Sequence, residues 1–285
     1  MKTVLLFKTV LHKGGSLMKQ YFLALFCLVF VFFQSDLWAK GIPEDVFKEI
    51  VKKSDVKKLD SLVRKGYNVN EPLKKDPDSP EEYPITYAVS KNCMPVIQYL
   101  IGKRVNVNVE VEYDVPTTNR VINIAARSGN VPLVKLLVEA GAQLSWKSTI
   151  VDFPVDGIVC SFIARNNMPM VEYAFQHGAV ANAVVCGGDA CTYPLRIAID
   201  NKNIKAIKFL LEHGADVNFR GPQKDYPLFG AIESNNVEIV ALLLKHGADI
   251  HKEGYVGGFG MPTTPEQFAK EKGNKKIIQL LKSAK

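Results

Sequence analysis

The sequence contains few of the residues that usually carry catalysis. Its 285 residues include five histidines and five cysteines, and they contain no H-E-x-x-H signature and no glycine-rich phosphate loop that continues into Lys and Ser or Thr. The glycine-rich stretch GYVGGFG (254–260) has no buried strand before it and no such lysine after it. These absences argue against an enzyme, and we predict neither a cofactor nor a metal ion.

The sequence also lacks an apolar run long enough to cross a membrane. Tyr21 to Phe33 is an uncharged run of 13 residues, whereas a membrane-spanning helix needs about 20. Lys19 precedes this run, and Leu37-Trp38-Ala39 follows it and ends in a small residue that suits signal peptidase. We therefore expect no stable membrane span once this segment has been removed.

Residues 1–39 are accordingly predicted to be an export signal, with Met18 as an alternative start and a mature chain that begins near Lys40. An uncleaved anchor is the weaker alternative. A lipoprotein signal is disfavoured because Phe26 stands before Cys27, where the lipoprotein peptidase requires Gly or Ala. We expect an exported protein, with the periplasm as its first expected location and the extracellular space as its second.

An excess of one charge is missing as well. The net charge of +7 falls when residues 1–39 are removed, which leaves 32 basic and 28 acidic residues. No basic stripe with interleaved aromatic residues remains, so nucleic acid is not an expected partner.

One short pattern recurs seven times along the chain. It is clearest in NIKAIKFLLEHGADVN (203–218) and NVEIVALLLKHGADIH (236–251), and its other copies lie at 54–70, 93–108, 130–144, 167–182 and 274–281. Apolar residues such as Ile204, Ile207 and Leu211 recur at helical spacing, which predicts one buried stripe in each copy.

The copies follow one another at nearly regular intervals. The residues that open the predicted second helices are Val56, Met94, Val131, Met168, Ile204, Val237 and Lys275. They are separated by roughly 33 to 38 residues, and a period of about this length with a helix–turn–helix unit is the signature of stacked repeats. The sequence therefore predicts an all-α repeat solenoid.

Four of the copies are preceded by a proline-led segment: YPITYAV (83–89), YPLRIAI (193–199), YPLFGAI (226–232) and TPEQFAK (264–270). With these openings the chain resembles the ankyrin-repeat family, whose units begin T-P-L-H-x-A and end G-A-D-V-N. The resemblance covers about residues 43–285. It implies a single ankyrin-repeat domain over 40–285, with about seven helix-turn-helix repeats and β-hairpin fingers between them.

Residues at the ends of the predicted helices agree with this interpretation. Proline is favoured in the first turn of a helix, and glycine supplies the left-handed residue that ends the second helix in most repeats. Repeat two has Arg104 in place of that glycine, which predicts a weaker cap. Repeats three and four lack the proline-led opening at 120–121 and 157–158.

The histidines follow the repeat. His177, His213 and His246 each precede the glycine that ends a second helix, so their spacing is that of the repeat itself. His251 occupies the Asn position of the G-A-D-V-N turn. A partial positive charge is favourable at a helix C-terminus. We predict a structural role for these side chains.

The resemblance implies that function lies in the concave face and the finger loops, which bind protein partners in ankyrin stacks. Five of the six repeat intervals are longer than the roughly 33 residues of an ankyrin unit, and aromatic side chains in loops are typical of binding hot spots. The predicted partner-binding residues are Tyr113, Trp146, Phe153, Phe219, Tyr255 and Phe259. The alternative is that some of them only cover a neighbouring hairpin, as we expect for Tyr83, Tyr193 and Tyr226, which recur before proline.

Cys186 and Cys191 flank a Gly-Gly-Asp-Ala turn. Zinc would need two further ligands, and Asp189 and His177 do not make a convincing set; a redox centre would be expected as C-x-x-C. We predict a disulfide that stiffens one finger, with two free thiols as the alternative.

Cys93 and Cys160 lie two repeats apart, so we expect free, packed thiols there.

The family resemblance also suggests a function. The chain is similar in size and signal to exported bacterial ankyrin-repeat proteins that act as self-protection or inhibitor partners of wall-cutting enzymes. We therefore expect a non-catalytic module, monomeric or in a heterodimer, that inhibits or guards against an exported enzyme such as a peptidoglycan hydrolase. The alternatives are a secreted effector that binds a host protein and a structural partner that stabilises an exported redox enzyme.

The cysteine prediction is testable by thiol counting. Four cysteines remain after residue 39, so a single disulfide should leave two thiols that react in the unfolded, unreduced protein, because disulfides persist in exported proteins. Four reactive thiols would rule the disulfide out.

Overall fold

The fold consists of helix pairs stacked along the chain. A computed structural model describes residues 41–73, 81–109, 120–147, 154–156, 158–187, 190–221, 226–254 and 262–284, and within these ranges it contains fourteen helices in seven pairs. The predicted export signal, residues 1–39, lies outside the described residues.

Each repeat begins with a first helix of six to ten residues. The first helices are α1 (Glu44–Lys53), α3 (Pro84–Ser90), α5 (Val121–Ser128), α7 (Val159–Ala164), α9 (Pro194–Asp200), α11 (Pro227–Glu233) and α13 (Pro265–Lys272). Four of the seven open on proline, because the missing N–H of proline costs nothing in a first turn.

The second helices are nine residues long and begin at the residues from which the repeat spacing was measured. They are α2 (Val56–Arg64), α4 (Met94–Gly102), α6 (Val131–Glu139), α8 (Met168–Gln176), α10 (Ile204–Glu212), α12 (Val237–Lys245) and α14 (Lys275–Ser283).

An Asp or Asn side chain starts six of these seven second helices by accepting a hydrogen bond from a backbone N–H of the first turn. Asn203, for example, accepts from the amide of Ala206 at 3.0 Å. In repeat two, Cys93 stands at this position and makes no such bond. A side-chain oxygen at this position satisfies an N–H that otherwise has no partner in the helix.

Left-handed residues end the helices. One follows each first helix, and a second follows the second helix of repeats one to six, where glycine occurs in five cases and Arg104 in the sixth. Arg104 adopts a φ of 59°, so the chain keeps the same turn at a residue whose Cβ opposes it.

The core runs through the whole stack, from Ile42 to Leu281. In five repeats an alanine of the first helix is fully buried; these residues are Ala88, Ala125, Ala198, Ala231 and Ala269. In repeat four the same position holds Phe162, which is also fully buried. No helix pair covers its own apolar stripe, so each repeat depends on its neighbours.

Short hairpins project between repeats, and we name each finger after the repeat that it follows. Finger three pairs β1 (Ser145–Lys147) with β2 (Pro154–Asp156), and finger four pairs β3 (Val185–Gly187) with β4 (Ala190–Thr192), both antiparallel. A parallel bridge between Val155 and Val184 joins the two fingers.

Among the described helices, none has the length and apolar character that a membrane crossing requires.

Replacing Arg104 with glycine should raise the free energy of unfolding by about 1 kcal/mol, because glycine adopts the left-handed conformation without steric cost. Urea denaturation measures the change. The converse control is Gly141→Ala. Gly141 has a φ of 92°, and nothing lies within 4 Å of the added Cβ, so this variant should lower the free energy of unfolding only through the cost of the left-handed backbone. A loss of stability in Arg104→Gly would contradict this account of the turn.

Candidate functional site

The sequence assigns binding to the finger loops and to the concave face that the fingers form with the first helices. On three first helices the residue before the buried alanine is a half-buried apolar side chain, namely Tyr87, Ile124 and Ile197. These side chains pack on the core and still keep part of their surface in solvent. They provide apolar surface beside the fingers.

Trp146 is the predicted binding residue with the best-defined surroundings. It lies in β1, opposite Val155 across the hairpin, and is half-buried against the core. The guanidinium carbon of Arg120 lies 4.2 Å from the centre of its ring, and Nη1 of Arg120 donates to Oε1 of Gln143 at 2.9 Å. The indole is thus held between a cation and the core, with part of its surface still exposed.

Such an arrangement favours binding. A cation stacked on an aromatic ring contributes about 0.5–1 kcal/mol at an exposed site, and it restricts the ring before any partner arrives. A side chain that is already ordered loses less entropy on association.

Phe219, in contrast, does not offer its ring to a partner. Its side chain is only 9% exposed, and its ring meets that of Tyr193 edge to face at 4.9 Å between centroids. The expectation of a partner contact at Phe219 is therefore corrected, and the alternative of covering a neighbouring element applies there. Tyr193, at 2% exposure, has the scaffold position expected from its recurrence.

The four other predicted binding residues, Tyr113, Phe153, Tyr255 and Phe259, lie outside the described residues. The base of finger six is described: Gly254 and Thr263 exchange two backbone hydrogen bonds of 3.1 and 3.0 Å. A Cβ on Gly254 would lie 2.7 Å from Cε2 of Phe229, so only glycine lets this finger lie directly on α11.

The two finger-four cysteines face each other in the backbone register. Cys186 and Cys191 are directly paired across β3 and β4, and Cys191 is disulfide-bonded in the structure. Cys93 and Cys160 are buried and form no disulfide, in keeping with the packed thiols expected from their spacing.

A groove at repeats one and two was missed by the sequence interpretation. It has a volume of about 450 Å³, and the ring of Tyr87 forms part of its lining, with Nζ of Lys48 at 5.8 Å and Nζ of Lys91 at 5.5 Å from the ring centre. The Glu44 carboxylate beside Lys48 raises the pKa of that lysine. In the sequence, this groove could have been suspected from Tyr87, an aromatic residue directly before the buried alanine Ala88 of the first helix.

The histidines occupy structural positions. Nδ1 of His177 lies 2.8 Å from the carbonyl oxygen of Tyr173, and Nδ1 of His213 lies 2.7 Å from that of Phe209, so each ring donates to a carbonyl in the last turn of its helix. Across the described parts of the chain, no group of three His, Cys, Asp or Glu residues could hold a metal ion.

Comparison with known proteins identifies this architecture. Residues 160–254 match the family model described as ankyrin repeats (3 copies). The structure is similar to the human ASB11 ankyrin repeat domain with a TM-score of 0.56 and 20% identity, over 84% of this chain and 97% of that one. The fold is an ankyrin-repeat solenoid. The fold predicted from the sequence is thereby confirmed.

A relative in sequence is the fowlpox virus (strain NVSL) putative ankyrin repeat protein FPV031, which is 28% identical over 138 residues. That match covers 48% of this chain and 38% of the viral protein. Ankyrin repeats indicate a protein–protein interaction module, and the fold is generally a non-catalytic binding scaffold.

The contrast between the two described aromatic residues predicts different effects on stability. Phe219→Ala should lower the free energy of unfolding by about 3 kcal/mol, because it empties a packed site. Trp146→Ala should cost only about 1 kcal/mol, because it removes a half-exposed ring and one cation–π contact. Chemical denaturation compares the two, and equal losses would show that Trp146 is also a core residue.

Proposed function

We propose that this ankyrin-repeat protein is an exported binding module that inhibits, or guards the cell against, an exported enzyme such as a peptidoglycan hydrolase. Its partner binds the fingers and the adjoining first helices. The single observation that carries the binding surface is Trp146, half-exposed on finger three and stacked at 4.2 Å on Arg120.

Two further features support a rigid recognition surface. The bridge between Val155 and Val184 ties finger three to finger four, and a disulfide between Cys186 and Cys191, which are paired in the backbone register, would brace finger four across its strands. Rigid loops bind more tightly than mobile ones because less conformational entropy is lost on association.

The proposed location depends on the amino-acid sequence. The export signal expected in residues 1–39 would deliver the protein to a compartment where a disulfide persists, and a cross-strand cysteine pair suits that compartment. The self-protection role follows from the resemblance to exported ankyrin-repeat proteins that restrain wall-cutting enzymes.

Affinity capture from a periplasmic extract tests the binding surface. The mature chain should retain a partner that Trp146→Ala loses, with Trp146→Phe retaining most of it because an aromatic ring is kept. The matched control is Tyr173→Ala, an aromatic residue of second helix α8 that contacts Lys135 and His177. Unchanged capture by Trp146→Ala, or equal loss in both alanine variants, would contradict the proposed site.

Gene deletion tests the self-protection role separately. Cells without the protein should round up or lyse when their own wall-modifying enzymes are expressed, and the intact gene should restore normal shape. Normal morphology under those conditions would contradict self-protection. Detection of the protein in the cytosol of a target cell would instead support the effector alternative.

A further inference from the structure

Two series of asparagine side chains join neighbouring repeats. In the first, which we call the finger ladder, an asparagine before the finger bonds the next repeat twice. Asn182 accepts from the amide of Asp216 at 2.9 Å and donates from Nδ2 to the carbonyl of Gly214 at 3.1 Å. Asn108 and Asn218 make the same pair of bonds to repeats three and six.

The second series, the turn ladder, lies at the turns between first and second helices. The asparagine that caps a second helix donates from Nδ2 to the asparagine at the preceding turn. Asn130 donates to Asn92 at 2.7 Å and Asn203 to Asn166 at 2.8 Å, and Asn274 donates to Asn235. Both ladders are complete between repeats two and three and between repeats four and five, so these repeats are fixed to each other on two sides.

Both ladders are interrupted between repeats three and four. Ser145 occupies the finger-ladder position, and its hydroxyl accepts one bond from the amide of Val180 at 3.3 Å. Gly129 occupies the turn-ladder position and has no side chain. Asn167 still caps α8 through Oδ1, but its Nδ2 has no side chain at position 129 to which it could donate. Within the described residues, this is the one junction where both positions are substituted.

A long, flexible side chain takes over part of this connection. Arg165 donates from Nη2 to the carbonyl of Arg127 and from Nη1 to that of Ser161 at 3.1 Å, and its Nε passes 3.2 Å from where a Cβ on Gly129 would lie. An arginine has more rotatable bonds than an asparagine. Its two hydrogen bonds therefore cost more side-chain entropy to form than those of an asparagine.

The packing changes at the same place. Helix α7 has six residues, the fewest among the described helices. Phe162 occupies the first-helix position at which five other repeats carry a buried alanine that lets helices approach. Of the neighbouring first helices in repeats two to seven, α5 and α7 contact each other least. A backbone contact and a side-chain contact still remain at this junction, namely the bridge between Val155 and Val184 and the approach of Lys135 to Tyr173.

Other junctions with a substitution keep a side-chain hydrogen bond or an ion pair between repeats. Between repeats one and two, Asn70 still bonds the amide of Asn106 at 2.7 Å, and the hydroxyl of Tyr99 donates to Asp60 at 3.0 Å. Burial and that bond raise the pKa of Tyr99 to about 12, so the donor proton is retained at neutral pH. Between repeats five and six, Arg196 pairs with Glu233 at 3.1 Å.

We propose that the solenoid has a hinge between repeats three and four, so that repeats one to three and repeats four to seven form two stacks that bend relative to each other. In a linear array the weakest interface opens first, because stability is a sum of repeat terms and nearest-neighbour terms. The hinge lies beside Trp146. The bridge between Val155 and Val184 keeps fingers three and four together, so bending pivots about these fingers and changes the spacing between the other fingers of the two stacks.

Hydrogen exchange of the purified protein, without any partner, tests the hinge by mass spectrometry. Amides of α5 and α7 should exchange about 5- to 30-fold faster than those of α9 and α11, which corresponds to one or two missing hydrogen bonds.

Ser145→Asn supplies both finger-ladder bonds and should slow exchange in α5 and α7 by a similar factor. Gly129→Asn, at a φ of 74° that asparagine tolerates, should slow it independently.

The matched reverse variant is Asn182→Ser, which moves the same defect to the next junction. It should speed exchange in α7 and α9 and leave α11 and α13 unchanged. Equal protection at all inner junctions, or no slowing in both Ser145→Asn and Gly129→Asn, would overturn the hinge. Because no partner is present, the result is independent of the proposed binding function.

Discussion

Contact between neighbouring repeats is the constraint on which the whole structure depends. A pair of helices of six to ten residues is too short to be stable alone in water, and each pair leaves one apolar stripe uncovered. Stacking covers these stripes in a single core from Ile42 to Leu281. The buried alanines and the asparagine side chains set the distance between neighbouring repeats, and the stack holds the finger loops in place.

Much of the fold could be predicted because the determinants are local. Asn203 and Asn236 cap their helices through bonds three residues ahead, and glycine supplies the left-handed residue after five of the second helices. Such signals are visible in a short window of sequence. The repeat then fixes the number and order of the helix pairs.

The candidate site was less predictable because it depends on contacts between repeats. Phe219 resembles a loop aromatic until the fold places Tyr193, which lies at the start of repeat five and 26 residues earlier in the chain, against it at 4.9 Å. The position of the Tyr87 ring between Lys48 and Lys91 is visible only once α1 is packed against α3. Arg104 adopts the turn that glycine adopts elsewhere, although its Cβ opposes this conformation. Contacts with residues distant in the sequence decide the surroundings of Phe219 and Tyr87.

The central claim is that partners bind the finger side of the stack at Trp146 and not the side of the second helices. Photo-cross-linking in cells tests it most directly, with a photoreactive phenylalanine analogue placed at either Trp146 or Tyr173. The account predicts a protein adduct from position 146 and none from position 173. An adduct from position 173 alone would contradict it.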